Sequence, residues 1–173
     1  RGIRHSLEAP GRPGPEQRLL DALYDASLFD LASTPYFFVN MLKRAKKGHT
    51  PASRAEVLRQ QIDEAIAQVP ADQGMRANAP RTLLEMAWEM QHNDISVWPI
   101  EEAFRAMSRL RGERGYKVDE LYASLVKQQL LAPVGQDKVR FAYNSIQAYY
   151  CAKAILSLPE RDKTLHEIVA SLG

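Results

Sequence analysis

Apolar residues recur at helical spacing from Glu16 onward. Leu19, Leu20, Leu23 and Tyr24 fall at i, i+1, i+4 and i+5. This spacing forms one stripe on a 3.6-residue period and predicts an amphipathic helix.

A second helix is predicted to begin at Thr34 and Pro35. Threonine is a common N-cap, and proline is tolerated at the first helical position. The next residues, 36–42, are apolar on nearly every side, which predicts a helix central to a core. The basic segment 43–47 suits the negative end of the helix dipole, and Gly48 suits a left-handed cap.

A third helix is predicted to begin near Thr50, Pro51 or Ser53. Ser53 and Glu56 have the spacing of a capping box. The polar, glycine-containing segment 70–79 ends this half of the chain and is the expected domain boundary.

The second half, from Pro80, carries three helical patterns. Pro99 is expected to start the second of these helices, and Asp119 is expected to cap the third. The second helix is expected to face Ile100, Phe104 and Met107 inward. The apolar residues that define the first and third helices are Leu83, Leu84, Ala87 and Trp88, and Leu121, Tyr122, Leu125, Val126 and Leu130.

Two short extended runs, 131–134 and 139–143, flank the turn 135–138 and predict a β-hairpin. Three helices followed by a hairpin is the order of a winged helix. A further helix is predicted over 145–158. The fold class expected from these patterns is mainly α with one short β-hairpin.

Composition excludes several classes of protein. The chain has 173 residues, a formal charge of +2 and a single cysteine, Cys151, so it contains no internal disulfide. No apolar run approaches the ~20 residues that span a membrane. The first residue is not Met, and residues 1–15 are rich in proline and glycine, so we interpret the chain as a fragment joined to something upstream.

Sequence motifs for catalysis are missing. The chain has no phosphate-binding P-loop motif and no nucleophile-elbow motif. Glu89 and His92 share one helix turn, but a di-iron site needs a second such pair, so a polar outer helix face is the favoured interpretation. Cys151 lies among tyrosines and alanine, which favours a buried, inert thiol.

A winged helix also raises the hypothesis of DNA binding. The groove-reading helix would span 119–130, and its charged residues are Asp119, Glu120 and Lys127. This net negative set opposes phosphate binding, and the hairpin adds only Lys138 and Arg140. DNA binding is therefore disfavoured, although it stays an alternative, as does a helical protein-interaction module.

The segment Arg140–Leu156 resembles the end of the winged-helix domain in NACHT-type signal-transduction ATPases. In that family a β-strand leads into a Phe-x-His-x-x-x-x-Glu-Tyr helix, whose His touches the bound nucleotide. Phe141 matches the pattern, whereas Tyr143 stands at the His position and Ala148 at the Glu position.

Three other segments resemble the same family in the same order. Leu31–Leu42 is similar to the segment that places a proline against the adenine, and Gly48–Leu58 is similar to the stretch after it. Leu83–Met90 resembles the first winged-helix segment. The resemblance covers about Glu16–Leu158.

The resemblance implies a small helical lid domain over 16–70, followed by a winged-helix domain over 80–158. Residues 1–15 would be a linker from a missing upstream P-loop domain, and 159–173 would start a following helical region. The family's lid closes over the adenine and its winged helix contacts the phosphates of ADP, which holds the protein inactive until nucleotide exchange.

The resemblance also implies a cofactor, partners and site residues. The full-length parent would bind ATP or ADP with magnesium, hydrolyse ATP and form homo-oligomers when activated, in the cytoplasm and in a signalling role such as defence. A downstream sensor region is expected. This chain alone is expected to catalyse nothing and to bind no nucleotide firmly. Pro35 matches the adenine-facing proline, and Tyr143 takes the phosphate-contacting position.

Overall fold

A computed structural model describes residues 14–25, 28–51, 53–111 and 115–157. Nearly all of the expected linker 1–15 and all of the expected helical region 159–173 lie outside these residues. The chain is mainly helical with a small antiparallel sheet, and it forms two compact units that divide between Val57 and Leu58.

The described helices are α1 (Pro15–Asp25), α2 (Phe29–Ala32), α3 (Pro35–Lys46), α4 (Arg54–Ala67), α5 (Met75–His92), α6 (Ile100–Arg111), α7 (Val118–Lys127) and α8 (Asn144–Ser157). The strands are β1 (Trp98–Pro99), β2 (Leu131–Val134) and β3 (Lys138–Phe141). A 3-10 turn over Asp72–Gly74 precedes α5.

The predicted first helix is confirmed, but only half of its apolar stripe is buried. Leu19 and Leu23 are each 2% exposed, whereas Leu20 is 47% and Tyr24 is 72% exposed. Adjacent helical residues point about 100° apart. The core therefore buries the pair Leu19 and Leu23, whereas the pair Leu20 and Tyr24 lies on the solvent-exposed side of the helix.

The structure corrects two expectations for α3. The helix does begin at Pro35, yet the Thr34 side chain makes no capping hydrogen bond. The helix is also one-sided, because Phe37 and Met41 are buried while Phe38 and Val39 are exposed.

The end of α3 confirms the predicted glycine cap. Gly48 has a φ of +86°, and the amide of His49 donates to the carbonyl of Arg44 at 3.0 Å. This six-to-one bond is the Schellman motif, in which the left-handed residue lets the chain satisfy the last carbonyls of the helix.

The start of α4 confirms the Ser53–Glu56 cap. The amide of Glu56 donates to Oγ of Ser53 at 3.2 Å. The division between the compact units falls within α4, between Val57 and Leu58, rather than in the segment 70–79. The assignment of the two halves to a lid and a winged helix stays a prediction.

The fourth predicted helix, which corresponds to α5, begins earlier than the sequence indicated. We expected a start at Pro80, but α5 begins at Met75, directly after Gly74, which has a φ of +82°. Pro80 lies inside the helix, where its missing N–H costs one hydrogen bond. Packing outweighs this cost, because Met75 and Ala79 are almost fully buried.

Helix α5 is the centre of the second unit and packs against α8 and α6. The buried face of α5 packs against buried side chains of α6 and α7 to form the core of this unit. The fully buried members of this core include Leu83, Met86, Met90, Met107, Leu121, Leu125 and Leu130. Close packing of these chains is the main favourable term in the stability of the unit.

The predicted hairpin is confirmed, with β2 paired antiparallel to β3 and Leu131 opposite Phe141. The sheet also has a third strand, in the order β1-β3-β2. Pro99, expected to open a helix, instead ends β1 and lies opposite Lys138. Proline is acceptable there because β1 is an edge strand. Helix α6 follows at once, and the amide of Ile100 donates to the carbonyl of Asp137 at 2.8 Å.

The third predicted helix of this unit begins slightly before its expected cap. Lys117 is the N-cap of α7, so Asp119 lies in the first turn. There its charge still faces the positive end of the helix dipole. The final predicted helix, α8, is confirmed with its start at Asn144.

Candidate functional site

Tyr143 lies between β3 and α8, at the point where the chain turns from strand to helix. Its carbonyl accepts hydrogen bonds from the amides of Ile146 and Gln147, at 3.0 and 3.3 Å. Its half-buried side chain donates from the hydroxyl to Oε1 of Gln129, 3.4 Å away. The backbone of Tyr143 therefore anchors the first turn of α8, while its hydroxyl faces the end of α7.

The end of α7 forms a Schellman motif without glycine. The amide of Leu130 donates to the carbonyl of Leu125 at 3.0 Å, and that of Gln129 donates to Val126 at 3.0 Å. Gln129 takes the left-handed position, with a φ of +56°. Such a backbone is disfavoured for a residue with a Cβ, so Gln129 stores local strain.

The end of α5 repeats this arrangement. The amide of Ile95 donates to the carbonyl of Met90 at 2.9 Å, and Asp94 donates to Gln91 at 3.3 Å. Asp94 is the left-handed residue, with a φ of +51°. Among the described residues, the positive-φ positions without glycine are Asp94 and Gln129.

Both strained residues lie beside the start of α8. Gln129 contacts Tyr143, and Asp94 lines a surface pocket of about 410 Å³ together with the first turn of α8. The residues that line this pocket are Met90, Gln91, Asp94, Ile95, Ser96, Asn144 and Gln147. We define this pocket as the α5–α8 pocket. Strained backbone clusters at functional sites, so the start of α8 is our candidate site.

The chemistry of the α5–α8 pocket is polar and acidic. Asp94 is the charged member of its lining, beside three carboxamides and the hydroxyl of Ser96. No lysine or arginine lines it, so a phosphate would gain no ion pair there.

Sequence reasoning missed Asp94 and Gln129. The Gly48 cap was found because glycine marks a left-handed position. Glutamine carries no such mark and aspartate only a weak one, and in the sequence both resemble ordinary polar residues near the end of a helix. Polar residues followed by half-buried Ile95 or buried Leu130 would have been a weak indication of the motif.

Pro35 is exposed at the first position of α3. It belongs to the first unit, whereas Tyr143 belongs to the second. Ala148, at the position of the family's glutamate, is exposed on α8 and adds no polar side chain beside Tyr143.

The other candidate groups for chemistry have structural roles. Glu89 accepts from the amide of the Asn93 side chain at 3.4 Å, and the His92 ring stacks on Trp88 at 5.9 Å. No three His, Cys, Asp or Glu side chains come together to hold a metal ion within the described ranges. Cys151 is 7% exposed, and burial raises the pKa of its thiol, so it lacks the thiolate of a nucleophile.

The first turn of α7 is acidic. Asp119 and Glu120 both lie there, and Nζ of Lys117 pairs with Glu120 at 3.3 Å. This ion pair offsets the positive charge of Lys117 at the start of α7, the helix that would read the DNA groove. In the part of the chain that is described, no helix has the length and hydropathy of a membrane span.

No protein-family model matches this chain, and neither curated proteins nor solved structures give a match.

Proposed function

We propose that this chain is the regulatory half of a NACHT-like signalling ATPase, with a helical lid followed by a winged helix. The observation that carries the proposal is the order of elements in the second unit: α5, β1, α6, α7, β2, β3. A helix, a short strand, two helices and a hairpin, with the first strand paired to the last, is the order expected of a winged helix and supports this proposal. The sheet order β1-β3-β2 agrees with it.

The position of Tyr143 also supports the proposal. It follows β3 and opens α8, as the nucleotide-contacting His does in the family. Its hydroxyl can donate a hydrogen bond to a phosphate oxygen. The phosphate would then replace Oε1 of Gln129 as the acceptor of that bond. In the parent protein, Tyr143 would face a phosphate of ADP and Pro35 would face the adenine.

The proposed mechanism is a nucleotide switch. ADP, with magnesium, would be held at the P-loop of an upstream domain, and contacts from the lid and the winged helix would stabilise the inactive state. Exchange for ATP would favour release of the winged helix and homo-oligomerisation, since a ligand shifts an equilibrium by its differential affinity for the two states. Tyr143 carries no positive charge, so its contact to a diphosphate is weaker than that of a protonated His.

Calorimetry with ADP and magnesium tests the proposal on two proteins: the longest native protein that contains this chain, and this chain alone. We expect binding by the long protein and none by the chain alone, because the phosphate-binding loop lies elsewhere. Absence of binding in both would contradict the nucleotide switch and leave only a fold resemblance.

A second candidate function is a helical protein-interaction module. It is favoured by the exposed apolar side chains of the first unit, where the rings of Tyr24 and Phe29 meet edge to face at 4.9 Å. Tyr24→Ser with Phe29→Ser should weaken binding to a protein partner without loss of helix content. Unchanged binding would remove this surface from the interaction.

A further inference from the structure

The α5–α8 pocket has the electrostatics of a cation site. Asp94 contributes a full negative charge to its lining, and no lysine, arginine or histidine lines it. The last turn of α5 adds the negative end of a helix dipole beside Met90 and Gln91, while the first turn of α8 adds a positive end beside Asn144. The negative and positive dipole ends offset each other, so the Asp94 carboxylate makes the electrostatic potential of the pocket negative.

The uncharged lining favours one kind of cation. Gln91, Asn144 and Gln147 each bring a carboxamide oxygen that can accept, and Ser96 brings a hydroxyl. An ammonium group has three donors on one atom, whereas a guanidinium has five in a flat fork that can reach several separate acceptors. Half-buried Ile95 provides the apolar part of the lining, which suits a flat, weakly hydrated group.

The backbone at Asp94 agrees with a ligand role. Its φ of +51° is a position where glycine would carry no strain, yet the chain has a carboxylate there. The six-to-one bond from Ile95 to Met90, at 2.9 Å, fixes this backbone and therefore the mouth of the pocket. A strained residue held at the edge of a pocket is the pattern expected of a preorganised ligand group.

We infer that the α5–α8 pocket binds a guanidinium group, such as an arginine side chain, with Asp94 as its counter-ion and the carboxamides as acceptors. A volume of about 410 Å³ is ample for this group and the aliphatic stem that carries it. The inference uses the second unit alone and does not depend on the nucleotide proposal.

The experiment titrates this chain with Nα-acetyl-arginine amide and, separately, with Nα-acetyl-citrulline amide, in low salt, followed by NMR chemical shifts. Citrulline has nearly the same shape without the charge. We expect saturable shifts around Asp94 and Asn144 with the arginine probe and binding about two- to fivefold weaker with the citrulline probe, because Asp94 is exposed to water. Equal binding of the two probes would overturn the inference.

Two variants and a matched control complete the test. Asp94→Asn keeps a residue that tolerates the left-handed backbone and removes the exposed charge, so affinity should fall about two- to fivefold. Gln91→Glu adds a second carboxylate on the exposed last turn of α5 and should tighten binding, which covers the case in which Asp94→Asn fails to fold. Asp72→Asn lies outside the lining and should change nothing. An Asp94→Asn protein that folds and binds unchanged would contradict the inference.

An arginine-containing pentapeptide, Gly-Gly-Arg-Gly-Gly, distinguishes the sources of the group. Tighter binding than the amide probe would support an arginine of a protein partner, and equal binding would support a small guanidinium ligand. Failure of ADP to bind in calorimetry would leave this result intact, so the two proposals fail separately.

Discussion

The hydroxyl of Tyr143 donates to Oε1 of Gln129, 3.4 Å away, and Gln129 itself has a left-handed backbone with a φ of +56°. The contact joins the start of α8 to the end of α7 in the second unit. Gln129 therefore carries backbone strain and also accepts the one hydrogen bond that the hydroxyl of the proposed phosphate-facing tyrosine can donate.

Gln129→Gly should stabilise the second unit by about 0.5 to 1 kcal/mol, because glycine adopts the left-handed backbone without strain. The exposed hydrogen bond to Tyr143 that is lost is weak. Urea unfolding followed by tryptophan fluorescence measures this unit alone, since both tryptophans, Trp88 and Trp98, lie in it. The matched control is Gln128→Gly, where φ is −83° and glycine should destabilise by up to about 1 kcal/mol. Equal effects of the two glycines would contradict the strain argument.

Tyr143→His should slow the release of ADP from the longest native protein, because a protonated imidazole adds a charge-assisted hydrogen bond to phosphate. Tyr143→Phe, which lacks the hydroxyl, should speed release. The dissociation rate of a fluorescent ADP analogue measures both. Unchanged release in both variants would remove Tyr143 from the nucleotide site.

Stability should fall at alkaline pH because of Tyr150. Burial, with smaller contributions from Tyr149 and Asp63, raises the pKa of Tyr150 well above its ordinary value of 10.0. Above that value the unfolded chain has released the proton and the folded protein has kept it, so the free energy of unfolding drops by about 1.4 kcal/mol per pH unit. Below about pH 9 this group has no effect, because both states are protonated.

Urea unfolding at several pH values between about 9 and 11 measures this slope. Tyr150→Phe should reduce the slope by about 1.4 kcal/mol per pH unit, which is the contribution of one proton. Part of the slope should remain, since burial also raises the pKa of Tyr116, whose hydroxyl donates to the carbonyl of Met107 at 3.0 Å. Tyr24→Phe, at a 72% exposed position, is the control and should leave the slope unchanged.

Cys151 should resist thiol reagents in the folded protein. The chain has a single cysteine, burial raises the pKa of its thiol, and 7% of the residue is exposed. Labelling at about pH 8 should be at least about 100-fold slower in buffer than in urea. Cys151→Ala with Ala152→Cys moves the thiol to an exposed neighbour and should restore fast labelling. Fast labelling of native Cys151 would reopen its interpretation as a nucleophile.

Leu83→Ala should destabilise the second unit by about 2 to 5 kcal/mol, since Leu83 is fully buried in α5 and its loss leaves a cavity. Leu84→Ala, at the adjacent half-buried position, is the matched control and should cost clearly less. Tryptophan fluorescence in urea measures both. A larger cost at Leu84 would contradict the assigned buried face of α5.

Much of the local structure could be predicted from the sequence. The hairpin followed from two apolar runs around Gly135, which has a φ of +64°, and the Ser53 cap followed from its spacing to Glu56. These features depend on a few adjacent residues, whose side chains and backbone preferences specify the geometry locally.

The sequence-based predictions were wrong where contacts between residues far apart in the chain determine the local structure. Nothing near Pro99 indicates that β1 pairs with β3, and the start of α5 at Met75 depends on burial of Met75 and Ala79 in a core. Likewise, Leu20 and Tyr24 match the helical period as well as Leu19 does, so only packing could select the buried pair.

By itself the sequence determined the helices, the hairpin and the position of Tyr143 after the last strand, because periodicity and turn chemistry act over a few residues. The tertiary structure alone decided that two non-glycine helix ends, at Asp94 and Gln129, flank the start of α8. A left-handed backbone at such residues is too costly to be predicted locally, and it forms here because the six-to-one hydrogen bonds and the buried Leu130 compensate for it.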